Sequence, residues 1–299
     1  MSIITYTVDK TGHELKIRDY MKDSLNLSGR FIKNSAMDRR IMVNDKEVKL
    51  SYRLSEGDVI QVRVTKEETQ NIEPENLNIQ VIYEDDDLLI VNKPPYMVVH
   101  PTKSHSMGTL ANGVIYHFRS NNDNSIVRLV SRLDRDTSGL IMIAKNQFSH
   151  MSLARAMDEN TIEKSYLAVI HGKLEPKEGI IDKPLGKPEN ETIKRAVIED
   201  GQRSVTHYKV IEEFKEAELV QLFLETGRTH QIRVHVSHEG CPIYGDSLYS
   251  EFNDEEFINR QALHAYRLRL PHPRSGEMLT FECEVPDDMK KLIYKLKNK

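Results

Sequence analysis

The 299-residue chain reads as a two-domain α+β protein, and three observations predict this. From about Gly12 to Val64, two short helical stretches precede a small strand region. Thr65 to Gln80 has no apolar periodicity, is acidic and contains Pro74, the marks of a connecting segment. From Val81 onward, apolar runs with strand spacing alternate with amphipathic helical segments. The expected division is therefore 1–64, a linker over 65–80, and 81–299.

In the first unit, Leu15, Arg18 and Asp19 open a helical stretch with apolar Ile17, Tyr20 and Met21, and Ser28 can cap a second helix carrying Phe31, Ile32 and Ala36. Ile41-Met42-Val43, the polar Asn44-Asp45-Lys46 and Val48 read as strand, tight turn and strand. After the turn Ser55-Glu56-Gly57-Asp58, Val59 to Val64 alternates as a half-buried strand does.

In the second unit, Val81-Ile82-Tyr83 and Leu88 to Val91 read as adjacent strands, and Pro94-Pro95 stops the chain just after Lys93. Thr109 can cap a helix that aligns Leu110, Val114, Ile115 and Phe118. At the centre lies Val130 to Asn146, VSRLDRDTSGLIMIAKN. Asp134 stands there between Arg132 and Arg135, ahead of turn residues Asp136 to Gly139 and a buried strand from Leu140 to Ala144. A carboxylate on a loop held against a sheet suits catalysis, and a structural Asp–Arg pair would have the same pattern.

Further on, Gln147 to Asp158 reads as a helix and Lys164 to Ile170 as a strand, with Lys164 and Tyr166 on one face. Leu219 to Glu225 is another strand, and Arg228 stands at its corner with a helix containing Ile232 and Val236. His230 and His235 do not share a helical face and no HExxH pattern occurs, so no metal site is expected.

Composition bounds the partners. With 38% hydrophobic residues the chain can bury a full core. A net charge of -4 and a pI of about 6.3 lack the overall basic footprint of a nucleic-acid binder. Any RNA contact must use local patches. Glu67, Glu68, Glu73 and Glu75 fall in the expected linker, and Asp254-Glu255-Glu256 reads as a solvated loop. Cys241 and Cys283 are too few and too distant for a disulfide framework, which suits reduced thiols in the cytoplasm. There is no apolar run of about eighteen residues and MSIITYTVDK is not a signal pattern, so no membrane is expected. No phosphate-binding glycine loop is present, and no cofactor is expected.

The blocks DDLLIVNKPPYMVVHP, SRLDRDTSGLIMIAKN, KSYLAVIHG, LETGRTHQIRVH, CPIYGDSLY and ALHAYRLRLPHP follow one another in a single order over Val81 to Lys299. Together they closely resemble the RluA family of RNA pseudouridine synthases. LNLSGRFIKNSAMDRRIMVNDKEVKLSYRLSEGDVIQVRV is similar to the S4-type RNA-binding module. One position departs from the family: Ser131 stands where a His usually precedes Arg-Leu-Asp, which bears on the local RNA contact or substrate preference.

The resemblance implies the pseudouridine synthase fold, with a mixed, mainly antiparallel sheet and a small N-terminal αα-β RNA-binding domain. It implies isomerisation of a uridine in RNA, the uracil being detached from nitrogen, rotated and rejoined through carbon 5. Asp134 would be the catalytic carboxylate, as nucleophile at ribose carbon 1′ or as base at carbon 2′. Tyr166 would pack on the target base, Arg228 would pair with the aspartate, and Arg132 would fill the space near the displaced base. Lys93 and Arg233 are expected at phosphates, as are Arg30, Lys33, Arg39 and Arg40 of the front module. The expected partner is RNA, large-subunit ribosomal RNA ahead of transfer RNA, bound by a monomer that needs no metal or cofactor. The alternative is a non-catalytic RNA-binding protein, in which Asp134 would matter only to affinity.

Overall fold

In the computed structural model, which describes residues 3–64, 70–189 and 191–299, the N-terminal stretch closes a core of its own. Strands β1 (Ile3–Thr7), β2 (Ile41–Val43), β3 (Lys46–Glu47) and β4 (Val59–Arg63) form an antiparallel sheet in the order β1-β4-β2-β3. Ile60 and Val62 of β4 face inward at alternate positions, where they meet Ile17 and Met21 of α1 (Ile17–Asp23) and Phe31 and Ile32 of α2 (Gly29–Met37). Ser28 caps α2, its hydroxyl accepting from the Phe31 N–H at 3.1 Å.

Arg40 does not face outward as expected of a phosphate contact. It is buried, with Nη1 donating to the Arg63 carbonyl at 2.9 Å and Nε 3.3 Å from Asp38. The cause is local, since the Arg63 carbonyl at the end of β4 needs a donor and the Arg40 guanidinium supplies it. Arg30, Lys33 and Arg39 are exposed, Arg39 lying 3.6 Å from Glu47.

The expected linker changes character along its length. Residues 65–69 lie outside the described residues. Residues 70–79 are packed on the larger unit: Ile72 is buried beside Leu110 and Val114, Asn112 Nδ2 donates to the Glu73 carbonyl at 2.8 Å, and Gln70 exchanges hydrogen bonds with Val127. Apolar Ile72, Leu77 and Ile79, scattered among acidic residues, carry this packing without a visible period.

The larger unit is built on one ten-stranded sheet. Its strands are β5 (Gln80–Glu84), β6 (Leu88–Lys93), β7 (Arg128–Leu129), β8 (Ser138–Ala144), β9 (Glu163–His171), β10 (Glu178–Asp182), β13 (Val205–Glu213), β14 (Ala217–Leu224), β15 (Leu263–Pro271) and β16 (Met278–Glu282), with the short pair β11 (Leu185–Gly186) and β12 (Ala196–Val197) outside it. The main order is β10-β13-β14-β9-β15-β8-β6-β5. Every pairing is antiparallel except β15 with β8, so the sheet is mixed and mainly antiparallel.

Continuous apolar runs in β6 and β8 follow from cover on both faces. Leu89, Val91, Ile141 and Ile143 pack under α3 (Leu110–Ser120), while Leu88, Ile90, Leu140 and Met142 pack under α4 (Gln147–Asp158). Helices α5 (Gln231–His238) and α6 (Asp287–Lys297) cover β9, β14 and β15 through Ile232, Val236, Met289 and Leu292. Phe148 and Met151 of α4 also enter the core of the N-terminal unit. Arg155 donates to the Asn26 carbonyl and Arg274 Nη1 to the Ile3 carbonyl at 2.7 Å, so the two units touch. Asp254, read as part of a solvated loop, is buried: its Oδ2 accepts from the Gly245 N–H at 2.7 Å and lies 3.0 Å from His171 Nε2. Among the described residues, no helix is long and apolar enough to cross a membrane.

Candidate active site

The loop carrying Asp134 runs from β7 into β8 and is tied down residue by residue. Lys93 Nζ donates to the Arg135 carbonyl at 2.9 Å and to the carbonyls of Pro94 and Met97 at 2.8 and 3.0 Å. Arg260 Nη1 donates to the Asp136 carbonyl at 3.1 Å, Gln261 Nε2 to Thr137 Oγ1 at 3.2 Å, and Ser138 Oγ lies 2.9 Å from His264 Nδ1. The Thr137 N–H closes the turn on the Asp134 carbonyl at 3.2 Å. Gly139 is required next, because its φ is +116° and a Cβ there would stand 2.2 Å from the Ala265 carbonyl oxygen. This close approach begins the parallel contact of β8 with β15.

Asp134 opens into a cleft of about 300 Å³ lined also by Arg132, Lys164, Tyr166, Arg228, His230 and Arg233. Its side chain is 29% exposed. Arg233 Nη1 donates to Asp134 Oδ2 at 3.1 Å, and His230 Nε2 lies 3.7 Å from the same oxygen. Arg233 also forks onto Asp246, with Nε to Oδ2 and Nη2 to Oδ1 both at 2.7 Å. Burial opposes the charge on Arg233, but the bonds to Asp246 and the nearby Asp134 outweigh it and hold the guanidinium above its ordinary range.

The pairing expected for Arg228 belongs to Arg233 instead. Arg228 is exposed on the cleft wall, and its Nε donates to the Arg203 carbonyl at 3.3 Å. The phosphate role expected for Arg233 is corrected with it, since the first turn of α5 buries that guanidinium between two carboxylates. Lys93, the other expected phosphate contact, is buried with its ammonium spent on three carbonyls. Arg132 is exposed at the mouth, beside Ser131.

Tyr166 on β9 is buried and faces the cleft from between Leu222 of β14 and Ala265 of β15. Burial, then the charge of Asp134, raises its hydroxyl above the ordinary range. Lys164, two residues earlier, lines the same cleft, and burial lowers its ammonium to about 8. Asp134 thus sits among the cations Arg132, Lys164, Arg228 and Arg233, an excess of positive charge suited to a polyanion.

His230, Asp246 and Tyr249 were not among the expected site residues. His230 precedes α5 in the left-handed region at φ 58°, and its Nδ1 lies 2.8 Å from the Tyr249 hydroxyl. Asp246 follows Gly245, where φ is +72° and a Cβ would meet the Arg260 carbonyl oxygen at 2.2 Å. An Asp after such a glycine, in the mostly apolar block CPIYGDSLY, is a visible sign that a buried cation awaits it.

Residues 87–238 match the family model described as RNA pseudouridylate synthase, half of the chain. The chain is 42% identical over 263 residues to the Bacillus subtilis (strain 168) protein "Uncharacterized RNA pseudouridine synthase YlyB", covering 87% of this chain and 86% of that one. It is 38% identical over 239 residues to "Ribosomal large subunit pseudouridine synthase D" of Nitrosomonas europaea, covering 78% and 69%. Among solved structures, "Human RNA Pseudouridylate Synthase Domain Containing 4" shares the fold with a TM-score of 0.61 at 24% identity, over 73% of this chain and 93% of that one. Likeness of this extent, in sequence as in sheet, means that the chain belongs to the RNA pseudouridylate synthase family, of the RluA type its motifs resemble, and is an isomerase acting on RNA.

Proposed function

We propose that Asp134 is the catalytic carboxylate of this pseudouridine synthase and that its substrate is large-subunit ribosomal RNA. The observation that carries the first part is the hold on one carboxylate oxygen. Arg233 lies 3.1 Å from Asp134 Oδ2, and an arginine does not release its proton near neutral pH. The carboxylate therefore keeps a permanent counter-charge inside a cleft too small for a stacked duplex, and the target nucleotide must leave its stack to reach it.

Tyr166 offers the everted base an aromatic face, which recovers roughly 1 to 3 kcal/mol of the unstacking cost. Arg132 at the mouth takes the space the base vacates, and Arg228 and Lys164 on the wall meet its phosphates. Whether the carboxylate attacks carbon 1′ or takes the proton from carbon 2′, it needs the same ionised oxygen in the same place. The ribosomal choice draws on the printed function of the Nitrosomonas europaea relative and on the exposed cations Arg30, Lys33 and Arg39 of the front unit. We take the protein to act as a monomer in the cytoplasm, with free Cys241 and Cys283.

The test uses RNA tritiated at carbon 5 of uridine, because isomerisation releases that tritium and leaves the strand intact. Wild-type protein should release tritium from large-subunit ribosomal RNA and not from transfer RNA. Asp134→Asn should abolish release while RNA binding stays within a few fold. Full release by that variant removes the assignment of Asp134, and release from transfer RNA alone removes the ribosomal one.

A further inference from the structure

We propose that His230 is a positioning residue that holds the Asp134 carboxylate in register, and that Tyr249 fixes which imidazole nitrogen carries the proton. The proposal rests on the reading of Asp134 as the catalytic group.

Among the described residues, both side-chain contacts of Asp134 fall on Oδ2, one from Arg233 Nη1 at 3.1 Å and one from His230 Nε2 at 3.7 Å. Oδ1 is left for the sugar. The tautomer of His230 follows from Tyr249, whose hydroxyl oxygen accepts the Arg195 N–H at 2.8 Å. The hydroxyl proton needs an acceptor, and among the described residues the one in reach is His230 Nδ1 at 2.8 Å. The reverse arrangement, with Nδ1–H donating, would leave the phenol proton of a half-buried Tyr249 unpaired, which is unfavourable. Nδ1 is therefore the acceptor, and the N–H sits on Nε2, the nitrogen nearest Asp134. The 3.7 Å gap is longer than a hydrogen bond, as such contacts often are before substrate closes the site.

The arrangement is a closed ring. Arg233 lies over the face of Tyr249 at 5.0 Å, His230 meets the same ring edge-on at 78°, and Asp246 Oδ1 accepts from the Tyr249 N–H at 3.2 Å. Backbone strain at His230, with φ at 58°, aims the imidazole inward from the start of α5. The charged groups facing His230 are Asp134, Arg233, Asp246 and Arg195, and burial, the largest influence, lowers its pKa from the ordinary value. The neutral ring thus acts on Asp134 as an oriented N–H and adds no second full charge beside Arg233.

Three full-length variants test this, His230→Leu, His230→Gln and Tyr249→Phe, assayed by tritium release from RNA purified from a strain lacking the protein. Leucine offers neither acceptor nor donor, and kcat should fall about 10- to 100-fold with KM little changed, the loss expected for one charge-assisted hydrogen bond. Glutamine offers a carbonyl to Tyr249 and an N–H to Asp134, so it should recover most of that loss. In ¹⁵N NMR spectra of the RNA-free protein, His230 should carry its proton on Nε2, and Tyr249→Phe, which leaves the strained backbone of His230 untouched, should shift that tautomer and lower kcat. Wild-type rates in His230→Leu overturn the proposal, as does a folded His230→Gln no better than the leucine variant or an Nδ1–H signal in the wild type. A wild type that releases no tritium, or an Asp134→Asn that does, instead overturns the reading of Asp134 and takes this proposal with it.

Discussion

Arg233 bridges Asp134 and Asp246, reaching the first with Nη1 at 3.1 Å and holding both oxygens of the second at 2.7 Å. The side chains of Arg233 and Asp246 are 7% and 0% exposed, so the strength of this pair is not that of a surface ion pair. Removing one partner of a buried pair leaves an uncompensated charge and costs about 3–5 kcal/mol. Arg233→Met should lose that much stability in urea unfolding and lose tritium release with it. Arg228→Met, on the exposed wall, should stay within about 0.5 kcal/mol of wild type. Equal losses in the two variants would contradict the geometry.

On the proposed mechanism, Tyr166 should contribute its ring and not its hydroxyl. Among the described residues its hydroxyl has no hydrogen-bond partner, while the side chain is buried on the cleft floor. Tyr166→Phe should therefore keep kcat/KM within a few fold, and Tyr166→Leu should lower it by roughly 5- to 150-fold, the equivalent of about 1 to 3 kcal/mol of base stacking. Single-turnover tritium release separates the two cases. A phenylalanine variant as impaired as the leucine one would assign the function to the hydroxyl.

Lys93 should make stability and activity run in opposite directions with pH. Burial, the largest influence, lowers its ammonium to about 7, with Arg260 acting the same way and Asp136 and Asp134 opposing. An unfolded lysine titrates near about 10.4. Between those values the unfolded chain binds a proton that the folded chain has released, so the contribution of this residue to stability rises with pH across that window. The neutral amine has two N–H groups for the three carbonyls of Pro94, Met97 and Arg135, so the Asp134 loop should be held less firmly. Tritium release should decline above pH of about 7. The wild-type minus Lys93→Met difference in unfolding free energy should climb over the same range, and a flat difference would remove the argument.

The elements of this fold were legible where local chemistry decides them. The run Leu140 to Ala144 became the interior of β8, and Thr109 became the N-cap of α3 with a full capping box. β1 was not read, because five residues of Ile3–Thr7 are meaningful only once β4 lies beside them. At the site, Asp134 and Tyr166 meet in one cleft as their blocks implied, but the cations were misassigned. Arg228 occupies the visible corner, whereas Arg233 is drawn inward by Asp246, thirteen residues later on another loop. Lys93 was expected at a phosphate because its actual partners are backbone carbonyls, and every residue has one. Spacing cannot announce such a site.

The front unit should bind RNA through charge and not through sequence. Arg30, Lys33 and Arg39 are exposed, and Arg39 lies 3.6 Å from Glu47, a loose surface pair that a phosphate can displace. Each phosphate contact contributes about 0.7 to 0.9 to the slope of log K against log salt, so replacing all three by Gln should reduce the magnitude of that slope by about 2 to 3. Fluorescence anisotropy over a potassium chloride series measures it. Arg40→Gln is the contrast. Its guanidinium is committed to the Arg63 carbonyl and to Asp38, so it should lower the melting temperature and leave the slope unchanged. If Arg40→Gln lowers the slope as the triple variant does, the buried arginine is an RNA contact after all, and the division between structural and binding cations on this unit fails.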